Sequence, residues 1–410
     1  MIQKWFKNIG PGPLVAAAFI GPGTVTVCTL AGVNFGFSLL WAMVLSVVAT
    51  IVLQEMSARL GVISQKGLAE VIRTEIKNPV FKVLTILLIF SAIVLGNAAY
   101  EAGNISGGVL GLETLVGNPF ISIGSIKLNL LSVCIGIIAF IILFIGNYKT
   151  LEKILVSLVI IMSLAFLITA IITKPDISLI MQSIFVPKFP KDSLLTVIAL
   201  IGTTVVPYNI FLHASLAKEK WKDKDSLQYA RKDTFVAVII GGIVSMCIII
   251  SAASIQTNDI ANAVDLAKGL EPLFGSFAKY FLAVGLFAAG ITSAITAPLA
   301  AAYVASGCLG WKTNMRSKKF RSIWMFILFL GVLLSSLGIK PIDIIKFAQI
   351  ANGVLLPIIA GFLIWIMNQK SILGDYKNST KQNIFAFIIL GISILLSLAT
   401  LNKVFNLNMF

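Results

Sequence analysis

Leu194 to Leu216, LLTVIALIGTTVVPYNIFLHASL, is long enough to cross a bilayer and carries no Asp, Glu, Lys or Arg, yet it cannot be one regular helix. Pro207 has no N–H and its ring collides with the carbonyl four residues earlier, so the helix is interrupted just after Gly202, Thr203 and Thr204. Tyr208, Asn209 and the only histidine, His213, follow. Lipid cannot satisfy the backbone groups that such a break frees, so protein or a bound solute must supply their partners. The alternative is a proline kink with a packing role.

Pro11 to Leu30 has the same character, being uncharged and interrupted at Gly21, Pro22, Gly23 and Thr24. Two interrupted spans, one near the start and one near the middle, point to a transporter built from inverted repeats with its site at the breaks. With 58% hydrophobic and 12% charged residues and a mean hydropathy of +0.97, the chain reads as an all-α, multi-pass membrane protein. Hydropathy places eleven spans at roughly 10–32, 36–58, 81–107, 127–147, 151–173, 193–217, 235–255, 276–307, 320–338, 342–368 and 382–404. Spans one to five (residues 1–173) and six to ten (174–368) each begin with a broken helix. Five is odd, so the second set starts on the opposite face and the repeats are inverted; residues 369–410 add an eleventh span.

Most Lys and Arg residues fall in alternate connections, among them Lys4, Lys7, Lys66, Lys220, Lys222 and Lys319. The positive-inside rule then places the N-terminus in the cytoplasm and the C-terminus outside, in a cytoplasmic membrane. The net charge of +15 reports this topology rather than nucleic-acid binding, because the basic residues are spread over short loops. Cys28, Cys134, Cys247 and Cys308 have no paired or zinc-ligand spacing and read as packing thiols. Neither a GxxxxGK[ST] motif nor a nucleophile with its base is present, so an ATP-driven pump and an enzyme are not expected, and no cofactor is called for.

Three stretches carry a resemblance to the natural-resistance-associated macrophage protein family of divalent-metal transporters. LQEMSARLGVISQKGLAEVIR (Leu53 to Arg73) resembles the family's LQ-LSA-LGI-TGK-LAE block. GTTVVPYNIFLHASL resembles GATVMPHNIYLHSAL, and GLFAAGITSAITAPLAAAYVASG (Gly285 to Gly307) resembles the AAGQSSTITGT-AG segment. The resemblance implies a LeuT-like fold of five plus five helices with helices one and six broken. It also implies alternating access.

At the substrate positions the chain departs from the family. Where the family carries Asp-Pro-Gly-Asn, this sequence has Gly21, Pro22, Gly23 and Thr24; where it carries Met-Pro-His, this sequence has Val206, Pro207 and Tyr208. The family's backbone carbonyl ligand falls at Thr203. No Asp or Glu lies in either broken span, and desolvating a divalent ion without counter-charge is costly. A hard cation that keeps part of its water, such as Mg²⁺, is compatible with Thr24, Thr203, Thr204 and exposed carbonyls. A neutral or zwitterionic organic solute is the alternative, since glycines let a ligand approach the backbone at Gly21 and Gly23. A transition metal is least supported, Cys28 being the one soft atom near the first break.

Gln349 and Asn352 share a face of the tenth span and are expected to line the pathway, with interhelical hydrogen bonding as the alternative. Glu101, an acid at depth in the third span, and His213, which resemblance links to proton movement, are candidates for a proton path or for structural roles. Glu55 is expected to pair with Arg59 one turn on. The reading is therefore a secondary transporter in a lipid bilayer, moving a small solute or metal ion. A transport-inactive sensor is the third possibility, weakened by the absence of a signalling domain; oligomeric state is not set, and a monomer suffices.

Overall fold

The computed structural model describes residues 20–406 apart from 118–119, 124–125, 147–148, 256–259, 261 and 312–313. Its elements are α1 (Pro22–Phe35), α2 (Leu40–Ser64), α3 (Leu68–Glu75), α4 (Pro79–Val116), β1 (Phe120–Ile123), β2 (Ile126–Asn129), α5 (Leu130–Ile145) and α6 (Lys149–Ile172). There follow α7 (Ile177–Phe185), α8 (Leu194–Thr204), α9 (Pro207–Lys220), α10 (Leu227–Ala252), α11 (Ala263–Ala267), α12 (Glu271–Phe274) and α13 (Ala278–Leu309). The last are α14 (Lys318–Ser336), α15 (Pro341–Met367), α16 (Lys370–Leu373) and α17 (Thr380–Phe405).

Local chemistry sets many of these boundaries. Pro22, Pro79, Pro207 and Pro341 stand in the first turn of their helices, where a missing N–H costs nothing. Asn78, Asn129 and Asp176 cap α4, α5 and α7 through side-chain oxygens, and Ser379 with Gln382 closes a capping box on α17.

Two groups of helices form around small-residue contacts, which let backbones approach where lipid gives no hydrophobic drive for association. In one, α13 crosses α4 with Gly290 against Gly108 and Gly111 against the Ala283 carbonyl, and α14 lies beside them. In the other, α2 packs on α9 and α10, with Gly61 against the Ala214 carbonyl, while α1 lies on α10 through Gly32. Between the groups runs α15, which touches both α4 and α8. Ile160, Leu164, Phe329, Phe385 and Leu395 are exposed on helices of bilayer length, as lipid-facing positions are.

Among the described residues, nine helical spans are long and apolar enough to cross a membrane, counting α8 and α9 as one. Nine of the eleven expected spans overlap these; the other two, spans one and four, overlap the shorter helices α1 and α5, and the first half of span one lies outside the described residues. At 16 residues α5 spans about 24 Å, short of the bilayer core, because Ile126–Asn129 are drawn into a hairpin with Phe120–Ile123. Residues 218–233 are mostly helix, continuing α9 to Lys220 and beginning α10 at Leu227.

Candidate functional site

The sixth span is interrupted where the proline requires it. Helix α8 stops at Thr204, Val205 (φ −92°, ψ 74°) and Val206 (φ −78°, ψ 121°) leave the helical region, and α9 restarts at Pro207. Pro207 has no N–H to offer the Thr203 carbonyl four residues back. In the first span, helix begins at Pro22 after an extended Gly21 (φ −95°, ψ −174°). Neither Gly21 nor Val206 supplies a side-chain cap to the helix that follows it; in α9 the Asn209 N–H turns back to the Val206 carbonyl at 3.0 Å.

The start of α1 meets the break in the sixth span. The Thr24 and Thr203 hydroxyls share a hydrogen bond of 2.8 Å between positions 179 residues apart, and both side chains are buried. Gln349 closes the junction from α15. Its side chain lies against the Cα of Gly23, and its carbonyl lies against Gly202. A β-carbon on Gly202 would collide with that carbonyl and stand 2.8 Å from the Gly353 nitrogen. On the remaining side, Gly107 of α4 receives the ring of Pro22. Gly23, Thr24, Gly202, Thr203 and Gln349 are thus gathered where α1, α8 and α15 converge, with α4 on the remaining side. Asn352, one turn beyond Gln349 on α15, is buried with its amide nitrogen unpartnered.

Thr204 faces elsewhere: its hydroxyl donates to the Leu200 carbonyl at 3.1 Å and lies 3.8 Å from the Met43 sulfur on α2. Tyr208 is buried and meets Tyr100 of α4 edge to face, centroids 5.2 Å apart, and its hydroxyl is unpartnered. Glu101 is buried between α4 and α14, its stem against Gly331; Asn104 Nδ2 donates to one carboxyl oxygen at 3.3 Å and the other oxygen has no partner. Among the described residues Glu101 forms no ion pair. His213 sits about 9 Å along α9 from the break, its Nδ1 2.6 Å from Gln54 Oε1 of α2.

The junction therefore offers hydroxyl, carbonyl and amide oxygens, two helix N-termini and one helix C-terminus. Cys28 is buried, and among the described residues no group of three or more His, Cys, Asp or Glu side chains is placed to hold a metal. Tyr100, Gln54, Asn209 and Gly107 were not evident from sequence. Asn209 has a weak signal in hindsight, one turn before His213 on α9, and both its amide atoms are buried without partners.

Comparison with known proteins agrees with this architecture. A manganese transporter from Eremococcus coleocola superposes with a TM-score of 0.78 at 19% identity, covering 98% of this chain and 87% of that one. A nucleobase-cation-symport-1 family transporter, solved closed with bromovinylhydantoin bound, gives 0.56 at 12% identity, covering 97% and 93%. The fold is the LeuT-like one, as expected. Among curated relatives, divalent metal cation transporter MntH of Caldanaerobacter subterraneus subsp. tengcongensis is 25% identical, covering 97% of this chain and 93% of its own. The Mesorhizobium japonicum protein of the same name is 28% identical, covering 96% and 88%. The family described as natural resistance-associated macrophage protein-like matches residues 12–403, and the chain, a multi-pass membrane protein, belongs to it.

Proposed function

We propose that this protein is a secondary transporter that carries a divalent metal cation across a cytoplasmic membrane by alternating access around the Thr24–Thr203 junction. The cargo class is that named for its relatives. The observation that carries the site assignment is the direct hydrogen bond between the first turn of α1 and the end of α8 at the break in the sixth span. Separation of those hydroxyls would free two oxygen ligands and the Thr203 carbonyl, a hard, neutral donor set. Such a set suits an ion that keeps part of its hydration, such as Mg²⁺, better than a transition metal seeking sulfur. The first ten spans divide into repeats at 1–173 and 174–368, with the N-terminus cytoplasmic and the C-terminus outside. Gln349 and Asn352 line the route; His213 and Glu101 are the titratable groups nearest to it.

A second reading has its own support. The uncapped starts of α1 and α9 present partial positive charge to the junction, and the end of α8 presents partial negative charge. That pattern fits a zwitterion, with carboxylate on the helix starts and ammonium on the carbonyls, beside the Tyr100–Tyr208 rings. Proteoliposomes holding a metal-sensitive fluorophore under a membrane potential separate the readings. Cation transport predicts a response to Mg²⁺ that Thr203→Ala lowers by about tenfold, the loss of one ligand worth about 1.4 kcal/mol. Silence toward Mg²⁺, Mn²⁺ and Ca²⁺ in active vesicles would reject the cation and leave the organic solute.

A further inference from the structure

The junction is collapsed, since the two threonine hydroxyls touch and Gln349 fills the space above Gly23. Cargo enters only if one wall withdraws. Helix α8 is suited to that: it has 11 residues, about 16 Å of rod, and its inner end is joined to α9 by the non-helical pair Val205–Val206. Its other end continues into the segment 186–193, which leads back to α7.

That segment is pinned at two places by distant elements. The indole N–H of Trp41, at the start of α2, donates to the Lys188 carbonyl at 3.0 Å, and the Trp41 and Phe189 rings lie 4.7 Å apart, tilted by 59°. Four residues on, Asp192 pairs with Lys403 of α17 at 3.1 Å. Trp41 is only 8% exposed although the segment it grips is itself exposed, so the indole is a socket built into the helix bundle. Asp192 holds a left-handed backbone (φ 64°) next to Ser193, the residue preceding α8, so the last pin sits where the chain turns into the rod.

We propose that 186–193 is a latch: it holds the end of α8 against α2 and α17, and its release lets α8 swing about Val205–Val206 to open the junction on that face. The Trp41 contact is the principal hold. The Asp192–Lys403 pair is solvent-exposed, and such pairs contribute little. The latch rests on the alternating-access reading and names the element that gates it.

The test uses the full chain, purified in detergent, with its four cysteines changed to serine and Thr203→Cys as reporter for a water-soluble maleimide. Trp41→Ala is expected to speed reporter labelling by about threefold to tenfold, as loss of one hydrogen bond and its ring contact implies. Trp41→Phe, which keeps a ring and removes the N–H, is expected to fall between and guards against misfolding. Asp192→Asn is expected to change the rate less than twofold, as an exposed pair implies. Labelling at the parent rate in both Trp41 variants would overturn the latch while alternating access stands. A reporter that no variant exposes would overturn both.

Discussion

Gly202→Ala is expected to abolish transport and to lower the thermal midpoint in detergent. The added methyl meets the Gln349 carbonyl and the Gly353 nitrogen, which are backbone atoms of a packed helix and cannot turn aside as a side-chain tip can. Overpacking of this kind costs on the order of 1–3 kcal/mol or more, and here the strain falls between the wall that carries Thr203 and the helix that carries Gln349. Displacing α8 by even a fraction of an ångström would spoil the 2.8 Å approach of Thr203 to Thr24. Gly391→Ala on α17 is the control. Nothing lies within 4 Å of its added carbon, so it should leave transport unchanged and stability equal or slightly higher. Equal behaviour of the two variants would show that α8 and α15 are not held backbone to backbone.

Arg59→Ala should be among the most destabilising single changes, by about 3–5 kcal/mol, because it strips a buried charged network of its centre. Arg59 is 1% exposed. Its guanidinium donates to Glu55 at 3.1 Å, to the Tyr376 carbonyl at 2.7 Å and to Asn378 Oδ1 at 2.7 Å, while Glu55 also accepts from Arg231 at 2.8 Å. Asn378 passes the connection to Asn383, and Asn383 to Asn368 at the end of α15. Removing Arg59 takes the donor from two buried acceptors, Glu55 Oε2 and Asn378 Oδ1, and from the Tyr376 carbonyl. Arg231→Ala should cost far less, about 0–1 kcal/mol, since that side chain is 39% exposed. Unfolding midpoints of the two variants check this order. A smaller loss for Arg59→Ala than for Arg231→Ala would contradict the network.

Much of the fold was legible because bilayer physics is severe. Uncharged stretches of about twenty residues read as spans, and α1 and α9 begin at Pro22 and Pro207, within the stretches where the prolines pointed to breaks. The expected Glu55–Arg59 pair is present at one-turn spacing. What sequence did not reveal depends on which distant helices touch. Nothing local in Arg59 announces Asn378, 319 residues away, and nothing in Gln54 announces His213. Gly107 reads as one glycine among 32 until Pro22 is found against it. The facing of Thr204 is a matter of rotation. Adjacent residues on a helix point about 100° apart, so Thr203 meets Thr24 while Thr204 turns to Met43. The strands at 120–129 escaped notice because four-residue runs carry little periodic signal.

The central claim is that cargo sits between the start of α1 and the break in the sixth span, held by neutral oxygens. A structure determined with bound cargo tests it through one distance, Thr24 Oγ1 to Thr203 Oγ1, which is 2.8 Å here. The account predicts that the hydroxyls part, with density between them in contact with the Thr203 carbonyl and no carboxylate side chain touching it. Hydroxyls still hydrogen-bonded to each other, with the cargo lodged elsewhere against Glu101 or His213, would contradict it.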